Sequence, residues 1–138
     1  MPITLILGLD VGSSSVRGAL FDGGGRMLKR TFVKVERRLA ATRDGGAELD
    51  ANTAFRQVVG VIDGVLERAP AGEITHVAAC TFWHSMMGLD ERGRPTTPVL
   101  GWADNRSREQ VAKLRRQLDE AAVHWRTGAH FHSSFWPA

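Results

Sequence analysis

Near the start of the chain a carboxylate, a glycine, three hydroxyls and a guanidinium fall within eight residues: Asp10-Val11-Gly12-Ser13-Ser14-Ser15-Val16-Arg17. Gly12 permits a tight turn whose backbone N–H groups converge into a nest for an anion. Ser13, Ser14 and Ser15 add hydroxyl donors, and Arg17 can make a charge-assisted contact to phosphate. Asp10 would repel a phosphate in direct contact, so its presence fits a hydrated Mg²⁺ lying between the two. The same residues also fit a plain hairpin in which Arg17 pairs with Asp10 across the ladder. Neither G-x-x-x-x-G-K-[ST] nor G-x-G-x-x-G occurs, which excludes the P-loop and the dinucleotide fingerprint.

The surrounding elements must hold that turn. Ile3–Val11 is apolar and rich in branched residues, the pattern of a buried strand. Val16–Phe21 reads as a second strand, closed by the turn Asp22-Gly23-Gly24-Gly25. Arg26–Glu36 alternates loosely as a third, and the three form an antiparallel meander. Residues 37–50 read as a polar loop. Asp50 or Asn52 caps a helix running to about Arg68, with Phe55, Val58, Val59, Ile62 and Leu66 as its apolar face. Ile74–Thr81 is a further buried strand reached by that crossover. Met86–Asp90 and the turn Glu91–Arg94 suggest a hairpin rejoining near Val99–Trp102. A second helix starts at Asp104 or Asn105, with Val111, Leu114, Leu118 and Ala122 inward, and His124–Ala138 is irregular. The layout is mixed α/β.

Several residues have ordinary structural readings. His84 lies among Phe82, Trp83 and Met86 and fits a core histidine bonded to backbone. Trp102 fits a core position, and Asp104 fits a helix cap. His124, His130 and His132 lack a cysteine or carboxylate at ligand spacing, which argues against zinc. Cys80, in an apolar strand, is expected to be a buried, inert thiol.

Length and composition bound the rest. The 138 residues make one domain, with 43% hydrophobic and 24% charged residues. One cysteine excludes an internal disulfide framework. No apolar run reaches the roughly 18 residues of a membrane span, and the start lacks the features of a secretory signal. A cytoplasmic protein without a membrane or nucleic-acid partner is expected. The net charge of +3 is spread along the chain, apart from a basic stretch at Arg26–Arg43 that reads as solvated surface. Phe131, Phe135 and Trp136 call for cover that the chain does not supply, so it reads as the first part of a longer protein.

The first segment, followed by Phe21-Asp22, resembles the first phosphate motif of the FGGY carbohydrate kinases. Two later segments narrow the match: Thr81-Phe-Trp-His84-Ser-Met-Met-Gly-Leu-Asp90-Glu-Arg-Gly-Arg-Pro95, and Trp102-Ala-Asp104-Asn-Arg106-Ser107. The second is similar to the family's W-x-D-x-R signature and nearest to its gluconokinase-type members. Arg126-Thr127-Gly128 and His132 continue the pattern. The resemblance implies a ribonuclease H-like domain of the actin-like ATPase and sugar kinase class. Residues 1–138 would be its amino-terminal, sugar-side domain. It further implies ATP and Mg²⁺ as cofactors and a sugar or sugar acid, gluconate foremost, as substrate. Asp10 would organise the metal-bound phosphates through water. Gly12, Ser13, Ser14, Ser15 and Arg17 would face the transferring phosphoryl group. Trp83, where relatives often carry methionine, and His84 would contact the sugar. Trp102 and Asp104 would line or brace that pocket, with Arg106 near the second helix. The general base is expected beyond Ala138 in a carboxy-terminal domain, so these residues alone should not turn over. Homo-oligomerisation stays open. Two rivals remain: a binding or regulatory module of the same fold, and a ribonuclease H-like nuclease. The nuclease would need converging carboxylates that the later strand lacks.

Overall fold

The structure, a computed structural model, describes residues 4–134. Ile3, Phe135 and Trp136, named above, lie outside the described residues. In chain order the elements are β1 (Thr4–Val11), β2 (Ser15–Asp22), β3 (Val33–Glu36), β4 (Ala40–Ala41), β5 (Ala47–Leu49), α1 (Ala51–Leu66), β6 (Glu73–Thr81), β7 (Val99–Leu100), α2 (Arg108–Gln117) and α3 (Glu120–Thr127). They fall into two compact units. One comprises the chain up to Arg38 with Asn52–Phe82, the other Leu39–Ala51 with the chain from Trp83 onward.

The first unit holds a sheet of order β3-β2-β1-β6. β1 runs antiparallel to β2 and parallel to β6, and β2 antiparallel to β3, which gives the expected meander and crossover. Leu5, Leu7, Val16 and Leu20 from the strands bury against Val61 and Val65 of α1. The helical period is legible, and Val58 and Ile62 of the expected face pack against this core, but the centre of the face is shifted: Val61 and Val65 are fully buried, whereas Phe55, Val59 and Leu66 are exposed. Gly18 accounts for this, because a Cβ there would stand 2.8 Å from Val61 Cγ1 and 3.1 Å from Val65 Cγ2. The bare backbone of β2 is the seat for these two valines.

β3 is shorter than expected. Thr31, in a 3₁₀ turn (Lys29–Thr31), accepts the Leu20 N–H with its hydroxyl at 2.8 Å and so takes the place of a ladder partner. Cys80 is exposed rather than buried. β6 is an edge strand among the described residues, and its side chains are largely open.

The second unit contains a small sheet of order β4-β5-β7. β4 and β5 fall where a polar loop is expected, since two or three residues barely display a period of two, while β7 lies where the chain is expected to rejoin after the hairpin. Ala47 and Leu49 are nonetheless buried. A carboxylate holds this unit together. Asp104, with no exposed surface, accepts the Ala47 N–H at 3.2 Å and the Arg106 N–H at 3.0 Å. The Arg106 guanidinium binds both of its oxygens and also pairs with Glu48 at 2.7 Å. Gly46 leaves room for this, since a Cβ there would stand 2.8 Å from Arg106 Cζ. Burial alone would raise the Asp104 carboxyl, but Arg106 and the backbone N–H donors outweigh it and hold it below the usual carboxylate range. Asp104 therefore does not cap a helix. α2 starts only at Arg108 and stops at Leu118, whose backbone is extended (φ −128°, ψ 149°). Asp119 then caps a separate helix, α3, by accepting from the Ala121 and Ala122 N–H groups, so residues 124–127 are helical rather than irregular.

Replacing Gly18 with Val should destabilise the first unit by about 1–3 kcal/mol through overpacking, read as a lowered denaturant midpoint at unchanged slope. Asp104→Asn should cost about 2 kcal/mol or more by removing the buried charge that Arg106 and the Ala47 N–H converge on, with Glu48 left as the close ionic partner of Arg106. Because the folded pKa of Asp104 is depressed, its contribution is complete above about pH 4 and lost as pH falls through the folded value. Acid titration of stability should accordingly be flatter in Asp104→Asn than in the wild type.

Candidate functional site

The β1–β2 turn is built by strand pairing. The ladder sets Asp10 opposite Arg17 and Val11 opposite Val16, which leaves Gly12–Ser14 to make the bend. The Gly12 N–H donates to the Ser15 carbonyl at 2.9 Å. This amide, expected to point into an anion nest, instead closes the turn, because a link this short needs that bond. The Gly12 carbonyl accepts from Arg37 Nε at 2.8 Å, and the Ser14 carbonyl from the Arg37 N–H at 3.0 Å. Ser14 is exposed, Ser13 half-buried, and Ser15 buried at 1% exposure, its hydroxyl without a hydrogen-bond partner.

Asp10 and Arg17 form an ion pair of 2.7 Å, each side chain a little over 40% exposed. The Cys80 thiol donates to the other Asp10 oxygen at 3.5 Å. Local desolvation and the Asp10 carboxylate push that thiol up, so it stays protonated. Asp10 and Arg17 border a largely apolar concavity of about 600 Å³ whose walls include Ile6, Phe21, Phe32 and Ala78.

The second group of expected residues lies in the other unit. Trp83 is 79% exposed and stacks on His84, with ring centroids 4.7 Å apart and planes 13° apart. His84 has φ +57°, a left-handed conformation that few non-glycine residues adopt. Trp102 is half-exposed. Asp104 and Arg106 serve the internal network described above. The rings of His124 and His130 stack at 3.7 Å. Among the described residues no three His, Cys, Asp or Glu side chains gather to hold a metal ion.

Two residues escaped sequence reasoning. Glu48 fell in the supposed loop, although the triplet Ala47-Glu48-Leu49 alternates as a short strand must. Arg37 falls in the basic stretch Arg26–Arg43 that reads as solvated surface, yet it is buried. Its place beside the turn follows from the β2–β3 register, in which Ser15 faces Glu36.

The pattern of the FGGY family of carbohydrate kinases, N-terminal domain, matches residues 5–137. The gluconokinase of Bacillus subtilis is 28% identical over 127 residues, which are 92% of this chain and 24% of that protein. Among solved structures, gluconate kinase from Lactobacillus acidophilus superposes with a TM-score of 0.85 at 26% identity, over 96% of this chain and 26% of the other. Xylulose kinase from Rhodospirillum rubrum reaches 0.86 at 22% identity over 94% of this chain and 27% of the other, a likeness of fold. The expected ribonuclease H-like fold of the sugar kinases stands. The chain spans about a quarter of the length of these relatives. Since the match leaves almost nothing of the sequence outside it, the chain belongs to the FGGY family of carbohydrate kinases.

Proposed function

We propose that this chain is the amino-terminal, sugar-side part of a cytoplasmic, ATP-dependent carbohydrate kinase, with gluconate as its favoured acceptor. The observation that carries the reading is the Asp10–Arg17 pair at the serine turn of β1 and β2, a half-exposed carboxylate and a half-exposed cation joined at 2.7 Å. In the reaction an acceptor hydroxyl oxygen bonds to the γ-phosphorus and the bridging oxygen leaves with ADP. The hydroxyl proton passes to a base supplied by the rest of the protein.

Arg17 provides positive charge for the phosphoryl oxygens, and Ser13 and Ser14 add donors at the bend. An ion pair this exposed is worth at most about 1 kcal/mol, so an incoming polyphosphate can draw Arg17 from Asp10 at little cost. Asp10 also fits as the carboxylate partner of Mg²⁺. That ion keeps most of its waters and takes one or two carboxylates together with substrate phosphates, which a single half-exposed carboxylate suits. Bound there, it would neutralise charge on the phosphates. Trp83 and His84 offer the acceptor an apolar ring face beside a polar ring edge, a pairing suited to a polyhydroxylated chain.

A second reading is favoured by the closure of the turn. The Gly12 amide is engaged and Asp10 is paired, as in a plain hairpin of a module with the same fold and no nucleotide chemistry. Calorimetric titration of the full-length protein with gluconate, ATP and Mg²⁺ separates the two. The kinase reading requires heat and a phosphorylated product, and their absence across sugar acids and polyols would remove it. In the active protein Asp10→Ala should lower kcat by about 10²-fold or more while the acceptor KM moves little, because phosphate organisation acts mainly in the transition state. His84→Ala should raise the acceptor KM about tenfold, the equivalent of one lost hydrogen bond of about 1.4 kcal/mol. An unchanged KM would return His84 to a structural role.

A further inference from the structure

Arg37 is the most deeply buried cation of the first unit, at 6% exposure. It sits just past β3 and grips the phosphate turn twice, by its backbone N–H on the Ser14 carbonyl and by Nε on the Gly12 carbonyl. Its guanidinium carbon lies 5.0 Å from the centre of the Phe82 ring, a cation–π contact on the chain just after β6. Both terminal nitrogens are buried without a hydrogen-bond partner. No carboxylate among the described residues pairs with it.

That combination is unusual. A buried charge is costly unless it is paired, and a buried guanidinium ordinarily has its N–H groups satisfied. Desolvation accordingly pulls its pKa down, though a guanidinium stays charged in proteins. A simple brace for the Gly12 carbonyl would need one donor and no charge. No acidic side chain among the described residues offsets the charge, and the turn that Arg37 holds is the place proposed to receive an anion. We propose that Arg37 is a positioning residue for the phosphate turn: it fixes the Gly12 carbonyl through Nε and sets an uncompensated positive charge behind the bend for an oligophosphate bound in front. Ser15, the first residue of β2 beside the bend, has a buried hydroxyl likewise without a partner and makes the polar imbalance there larger. Because the terminal nitrogens are enclosed, the charge acts through its field, which a low-dielectric setting screens less than solvent does.

This role presupposes that the turn takes phosphate, as proposed above, and the test keeps the two apart. Inorganic tripolyphosphate and MgATP are titrated into the full-length wild type, Arg37→Gln and Arg37→Lys, with thermal melts to confirm folding. Tripolyphosphate affinity should fall about tenfold in Arg37→Gln and stay within about threefold in Arg37→Lys, which keeps the charge. Equal affinity in wild type and Arg37→Gln overturns the role of Arg37 and leaves the phosphate reading intact. Equal weakening in both variants overturns the charge as the cause. A wild type that binds neither ligand overturns the phosphate reading, and this role with it. Should Arg37→Gln fail to fold, the Nε–H resonance of Arg37 in the wild type decides. It should shift on saturation with tripolyphosphate, and a fixed resonance overturns the role.

Discussion

Strand β1 is hydrogen-bonded along both edges, to β2 on one side and β6 on the other. That two-sided pairing fixes everything near the turn. A strand held on both sides cannot slide without breaking two ladders and turning Leu5 and Leu7 out of the core. Asp10 therefore stands where the strand ends, opposite Arg17, and Gly12 begins the bend. The polar chemistry of the first unit is an outcome of apolar registration a few residues away.

The chain uses carboxylate–arginine pairs in two contrasting ways. Asp104 is fully enclosed and accepts from backbone and guanidinium together, so its charge is satisfied on several sides and it acts as a structural joint. Asp10 and Arg17 meet near solvent at a single short contact, which leaves both able to exchange partners. The difference in burial separates a joint from a site, even though each pair is a carboxylate and a guanidinium close in sequence.

Much of this was legible in the residues. The run from Ile3 to Phe21, broken by Gly12 and three serines, gave the hairpin and the carboxylate at its end, and the spacing of apolar residues in 51–66 gave the crossover helix. The face of that helix is only partly legible: Val58 and Ile62 pack on the core as expected, but Gly18 on the partner strand, lacking a Cβ, brings Val61 and Val65 to its centre. That is a tertiary fact with no local signal. β4 and β5 are hard to see because two residues show no alternation and three show a single one, and Asp119 reads as mid-helix because a helix that stops and restarts keeps nearly the same apolar spacing. Arg37 could not be placed because the connection between β2 and β3 contains a 3₁₀ turn, so the hairpin register does not follow from loop length.

One consequence belongs to β6. It is nine residues long, lies at the rim of its sheet among the described residues, and leaves Val77 63% exposed. A long rim of unsatisfied amides and carbonyls is a template on which another extended backbone can grow. Polypeptide of this sequence kept in isolation is thus inclined to self-associate edge to edge, and charged substitutions along that rim would be the natural way to keep it monomeric.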